Sequence, residues 1–185
     1  MFVKEKTRQE IEMRLKVMGD YVKMDYLNSC LKGGLDFETK KFVMIILAGI
    51  YEGRGMYFEA GKLFRAGADI TSTYEGQIAD LLKSSELFIR GGKFDESEIS
   101  EKKALVIAND KQKDKIKKDI TEFYKTQAKA YLNKEKRKHA LDTYEKILKR
   151  DLEFNEKRAL QEKVLELYGR LGKIREYGVL KRSLD

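Results

Sequence analysis

The sequence predicts an all-α fold of stacked helical hairpins, and three observations predict it. No proline occurs among the 185 residues, although average usage of about 5% would supply roughly nine. Proline lacks the N–H and clashes with the preceding turn, so a chain without it has little besides helix and short turns. Glycines gather as Gly33-Gly34, Gly53 and Gly55, Gly91-Gly92 and Gly172, between periodic segments. There they mark helix ends, where a positive φ is cheap only for glycine. Third, a bulky residue returns at near-constant intervals. Leu15, Tyr51, Phe88, Tyr131 and Tyr168 are separated by 36, 37, 43 and 37 residues.

Each of these residues closes an amphipathic stretch and is followed at once by a turn. The turns are Met18-Gly19-Asp20, Gly53-Arg54-Gly55, Gly91-Gly92-Lys93, Asn133-Lys134-Glu135 and Leu171-Gly172-Lys173. A second amphipathic stretch follows each, so the unit is helix, tight turn, helix. Ten helices are predicted, near 5–17, 20–32, 37–53, 56–67, 74–90, 94–108, 111–132, 135–149, 152–170 and 173–183. Hairpins of about 35 residues cannot bury an apolar face alone, so neighbours stack and share a continuous core. The bulky residue near the end of each first helix needs a small residue opposite it for close approach.

Two units show that pairing well. Ala48 and Tyr51 are followed by Gly55, Tyr57, Ala60 and Phe64, and Ala128 and Tyr131 by Ala140 and Tyr144 at the same offsets. At these residues the chain resembles the tetratricopeptide (TPR) repeats, whose pattern is small–aromatic, then glycine, aromatic, alanine and aromatic. In the unit of Phe88, Gly92 and Phe94, Ser97 stands in the alanine place and Glu101 in the aromatic place. Tyr168, Gly172 and Ile174 fit, whereas Tyr177 and Lys181 do not. Leu15, Gly19 and Tyr21 give a first unit ending Met24 and Asn28, and the proline that usually closes a TPR unit is absent. The resemblance implies a right-handed α–α superhelix of about five TPR-like hairpins, forming a single domain over residues 1–185. It also implies that Tyr51, Phe88, Tyr131 and Tyr168 pack the core.

Composition narrows the function classes. Hydrophobic residues make up 42% and charged residues 38%, which fits neither a disordered nor a membrane chain. The longest apolar run, Phe42 to Ile50, falls far short of the roughly 18 residues a membrane span needs. The start, Met1 to Lys6, has no secretory apolar core. The single cysteine, Cys30, predicts a reducing cytoplasmic setting and reads as a small buried hydrophobe. The single histidine, His139, cannot build a zinc site with one distant cysteine. Gly53-Arg54-Gly55 follows a helix and lacks the lysine of a P-loop, so it reads as a turn. Glu162 and Glu166 share a helix face, but interspersed lysines make that face a solvated one. No cofactor, metal or catalytic residue is expected. The high Lys and Glu content resembles a thermophile's composition.

Charge is distributed unevenly. The net charge is +8, and residues 102–138 hold 13 Lys plus Arg against 5 Asp plus Glu. The same window contains the anomalous spacing of 43, with the extra residues in 110–119. A lengthened helix starting after Asn109 or Asp110 as cap accounts for it. On that helix Lys111, Lys115, Lys118, Lys125 and Lys129 form a narrow stripe broken by Glu122. Ile116, Ile120, Phe123, Tyr124, Gln127 and Tyr131 occupy the opposite face. Over this length the stripe would run about 27 Å. Lys134, Lys136, Arg137 and Lys138 extend it in the next turn. Such a row is either the wet side of an amphipathic helix or a track for phosphates or an acidic protein.

In TPR arrays the first helix of each hairpin lines the concave groove. The resemblance therefore implies that Lys83, Arg90, Lys125 and Lys129 face one. The lysine–asparagine pair by which some TPR proteins clamp a carboxylate is absent, because Lys125 is followed by Lys129. Three functions remain, led by a non-enzymatic scaffold for a protein partner. The second is a factor that binds RNA or a ribonucleoprotein such as the ribosome through the 102–138 region. Self-association is the third, through apolar ends that include Phe2, Val3, Tyr177, Val179 and Leu180.

Overall fold

The computed structural model describes residues 3–184; Phe2, one of the residues expected at an apolar end, lies outside them. Among the described residues all regular structure is helical. The elements are α1 (Arg8–Leu15), α2 (Asp20–Leu31), α3 (Phe37–Gly53), α4 (Tyr57–Ala68), α5 (Tyr74–Arg90), α6 (Phe94–Ile107), α7 (Asp110–Asn133), α8 (Arg137–Leu148), α9 (Phe154–Arg170) and α10 (Ile174–Arg182). The chain divides into two compact units, Met1–Ile116 and Lys117–Asp185, with the boundary inside α7.

Helices pack on their sequence neighbours. In the first unit α2 meets α3, α3 meets α4, α4 meets α5 and α5 meets α6; in the second α8 meets α9 and α9 meets α10. The fold is thus an array of helical hairpins.

Two different devices start the helices. The first helix of four of the five hairpins starts at a side-chain cap, whereas α9 starts at Glu153 without one. Thr7 and Glu10 form a reciprocal capping box at α1, Asp36 accepts from the Thr39 N–H at 2.9 Å, and Thr73 accepts from the Gly76 N–H at 3.2 Å. At α7 Asn109 is the cap: its Oδ1 accepts from Gln112 N–H at 3.0 Å while Gln112 Oε1 accepts from Asn109 N–H at 2.9 Å. Each such cap is worth about 1 kcal/mol.

Inside the hairpins the second helix starts without a side-chain cap, because the turn itself supplies the geometry. The carbonyls of Tyr51, Phe88, Tyr131 and Tyr168 accept from the N–H of Met56, Lys93, Lys136 and Lys173 at 2.8, 2.8, 2.9 and 2.9 Å. The residue before each donor is left-handed: Gly55 at φ 74°, Gly92 at 68°, Glu135 at 55° and Gly172 at 69°. This is the Schellman arrangement, which satisfies the last carbonyls of the first helix. The four turns are near copies, since Met56, Lys93, Lys136 and Lys173 all sit near φ −80° to −98° and ψ 57° to 68°.

Gly33, Gly34, Gly53 and Gly91, also expected at positive φ, do not adopt it. Only the residue before the sixth-position donor must turn left-handed, and those glycines stand elsewhere. The turn after Leu15 also differs from the other four. Gly19 has φ −75° and Leu15 O accepts from Met18 N–H at 3.3 Å, so the eight-residue α1 ends without a left-handed residue.

Tyr51, Phe88 and Tyr168 each meet a side chain of the preceding hairpin at a fixed register. Asn28 donates to the Tyr51 hydroxyl at 2.9 Å, and the Tyr168 hydroxyl donates to Glu145 at 2.8 Å, both pairs 23 positions apart. Phe88 meets Arg65 at the same offset, the guanidinium lying 5.1 Å from the ring centroid. Phe88 is fully buried, whereas Tyr51, Tyr131 and Tyr168 are half-buried.

The first unit's core begins with Ile11, Leu15, Tyr26, Leu27, Cys30, Val43 and Leu47 and continues through Ala48, Ala60 and Leu87. Small residues set the approach of successive helices. Ala60, Ser97 and Ala140 occupy the same offset in three units and are all fully buried. Between α5 and α6 serines do this work and satisfy one another: Ser85 and Ser97 hydroxyls lie 2.6 Å apart, Ser84 and Ser100 hydroxyls 3.0 Å apart. Gly61 is equally constrained, since a Cβ there would fall 2.9 Å from Phe88 Cε1. The second unit buries Ile120, Tyr124, Ala128, Leu141, Tyr144, Ile147, Leu160, Val164 and Leu167. α10 contributes no buried residue; Tyr177 packs on Gly169, and Ile174 and Val179 are exposed.

Candidate functional site: a cationic cavity on α7, α8 and α9

The structure treats the sequence-predicted cations in three ways. Lys83 and Arg90, expected to face a groove, are held within the first unit. Both contact the Glu52 carboxylate on α3, Lys83 at 3.3 Å, and both contact Glu86 one turn away, at 3.1 and 3.6 Å. Arg90 also lies over the Tyr57 ring at 4.4 Å. These side chains tie α3 to α5. Lys41 does the same, bonding Asp80 at 2.6 Å in a site where Thr71 donates to the same carboxylate at 2.7 Å. Arg65 reaches Glu96 at 2.5 Å, from α4 to α6.

Lys125 is the second case. It is half-buried and lies 2.5 Å from both Glu122 and Glu156, so it links α7 to α9. Burial works against its charge, but hydrogen bonds to Glu122 and Glu156 outweigh burial and hold its pKa above the ordinary lysine value. The stripe read from the sequence is therefore interrupted at Lys125 as well as at Glu122. A linear reading could not show this, because the Glu156 partner lies on the next hairpin.

The third group is exposed and has no ion pair among the described residues. Lys111 and Lys115 stand on the first turns of α7, and Lys118 and Lys129 further along it. Lys136, Arg137 and Lys138 stand at the start of α8, with Lys134 in the turn before it. On the opposite face of α7, Ile116, Ile120 and Tyr124 are buried, and Phe123, Gln127 and Tyr131 are half-buried.

Two of these cations, Lys129 and Arg137, converge on a concavity of about 400 Å³ within the second unit. Its lining comes from α7 (Lys129, Leu132), the Glu135 turn, α8 (Arg137, Tyr144) and α9 (Lys163, Glu166, Leu167, Arg170). Leu132, Tyr144 and Leu167 give it an apolar floor. Burial pushes the Tyr144 phenol pKa above its ordinary value. Arg170 is committed to Glu166 at 2.5 Å, which leaves Lys129, Arg137 and Lys163 as rim cations without an ion-pair partner among the described residues. A hollow of this size is in the range that holds a ligand group or an anchoring side chain.

The sequence reading missed Lys163, Leu167 and Arg170, and took Glu166 as part of a solvated face. Their spacing places them on one face of α9, and that was the available signal. The carboxylates of Glu162 and Glu166 masked it, although each has a local partner, Arg158 at 3.9 Å and Arg170 at 2.5 Å.

Cys30 is buried in the first unit, where burial raises its thiol pKa. His139 is exposed in the second, its ring 5.3 Å from that of Tyr131. Among the described residues no helix is long and apolar enough to cross a membrane. Comparison with known proteins finds no matching family model and no matching curated protein.

Proposed function

We propose that this chain is a non-enzymatic scaffold of TPR-like hairpins that holds a protein partner. The observation that carries this reading is the cavity of about 400 Å³, lined from three successive helices and floored by Leu132, Tyr144 and Leu167. An apolar floor with a polar rim suits a partner's side chain seated among hydrogen-bonding and charged neighbours. The residue pattern shared with TPR repeats supports the same class of function, by analogy of architecture.

A second reading is favoured by a separate observation. Lys111, Lys115 and Lys118 are exposed on α7 and have no ion pair among the described residues. That row suits a phosphate backbone, as in structured RNA or a ribonucleoprotein, bound by shape and charge without sequence readout.

One experiment separates the two: recovery of partners on the immobilised chain from its source cells, with and without nuclease. The scaffold reading expects a protein that survives nuclease and is lost from a Lys163→Glu variant. Recovery that disappears with nuclease, and with Lys111, Lys115 and Lys118 all changed to Gln, supports the phosphate reading instead.

A further inference from the structure

We propose that the cavity on α7, α8 and α9 takes an acidic peptide segment bearing one apolar anchor side chain, an inference that rests on the protein-binding reading above. Charge complementarity selects this occupant. Lys129, Arg137 and Lys163 surround the hollow and have no ion-pair partner among the described residues, so their charges are available to a ligand. The floor is apolar, with half-buried Leu132 beside buried Leu167 and Tyr144, and wants an aliphatic side chain, not a second charge.

The rim also argues against nucleic acid at this place. Glu135 stands among the cations beside Glu166, which is paired with Arg170, and Glu135 would repel a continuous phosphate chain. Tyr144 is only 2% exposed, so it offers no ring face on which a base could stack. A peptide places carboxylates at chosen positions and can leave Glu135 facing water or its own backbone N–H groups. Side chains at the start and end of the lining, Lys129 and Arg170, come from different hairpins. A bound segment therefore contacts both and holds them together.

The test is fluorescence anisotropy on the full chain with two dye-labelled synthetic peptides. One carries Asp and Glu around a central Leu, and the other has Asn and Gln in place of every acid. The acidic peptide is expected to bind. Its affinity should fall by about tenfold or more when Lys129, Arg137 and Lys163 are changed together to Gln, and also when Leu132 is changed to Asn. Lys16→Gln and Lys32→Gln, exposed in the first unit, should leave it unchanged. Circular dichroism on each variant confirms that the helices are retained.

Equal binding of the amide peptide, insensitive to the triple change, overturns the acidic assignment and leaves the scaffold reading standing. Binding of mixed RNA in place of either peptide, lost in the same triple variant, overturns both. Failure of both peptides and of RNA overturns the inference alone, because the nuclease-controlled recovery judges the broader reading separately.

Discussion

The two units spend their positive charge differently. In α3 to α6 the basic residues that face a neighbouring helix are tied to acids on it: Lys41 to Asp80, Arg65 to Glu96, and Lys83 and Arg90 to Glu52. Charge there belongs to the stack. From Lys117 onward Lys125 repeats that arrangement with Glu156, but Lys118, Lys129, Arg137 and Lys163 stand exposed without such partners among the described residues. The same residue type is mortar in one unit and an outward surface in the other. The acid on the next hairpin decides which role a lysine takes, and composition does not reveal that acid's position.

The largest effect expected from this contrast is at Asp80. Asp80→Ala leaves Lys41 and Thr71 without their shared acceptor in a largely buried site, and should cost about 3 kcal/mol of unfolding free energy. Urea denaturation measures it, and a loss below about 1 kcal/mol would show the linkage to be no stronger than a surface pair.

The hairpin turns come next. Gly55→Ala forces a Cβ into a left-handed position and should cost about 1–2 kcal/mol. Glu135 already bears that penalty as a non-glycine residue at φ 55°. Glu135→Gly should therefore stabilise the chain by up to about 1 kcal/mol. Opposite signs for these two substitutions in thermal denaturation are the specific expectation; equal signs would mean the four turns are not equivalent.

Two pH limbs sharpen the picture further. The Thr39 backbone and side chain donate to Asp36 and lower its pKa. Its stabilising effect is then present above the unfolded value of about 3.9 and is lost as pH falls through the lower folded value. Asp36→Asn should flatten that acid limb. Tyr168 behaves in the opposite sense. Burial, with its hydrogen bond to Glu145, pushes its pKa up to about 12. Its contribution is full below the unfolded value of about 10 and is lost as pH rises through about 12. Tyr168→Phe should remove that alkaline component, read by denaturation at stepped pH.

The smallest effect is expected at the cavity rim. Lys129→Gln and Lys163→Gln should each change stability by less than about 0.5 kcal/mol, since neither side chain is tied to an acid. A larger loss would place these lysines with Lys41 and Lys83 as parts of the stack, and the contrast between the units would fail.

Much of the fold was legible in the chain because helices are local. The Asn109 cap of α7 and the ends of α3 and α5 follow from residues within one turn of the boundary. Left-handed glycines at Gly55, Gly92 and Gly172 were readable for the same reason, as glycine is the residue that meets that φ without a Cβ clash. Glu135 was not readable as left-handed, because its conformation is imposed by the hairpin that the other three turns share. The candidate site was readable by half. Lys129 and Arg137 stand out in a basic window, whereas Lys163 is hidden among acids that are neutralised locally.

By itself, then, the sequence determined the helices, their turns and the pairing into hairpins, since hydrogen bonds and apolar periodicity act over a few residues. Tertiary structure alone decided which cations are consumed. An ion pair such as Lys125 with Glu156 forms across 31 residues of chain, and only the stacking register of two hairpins brings those atoms to 2.5 Å.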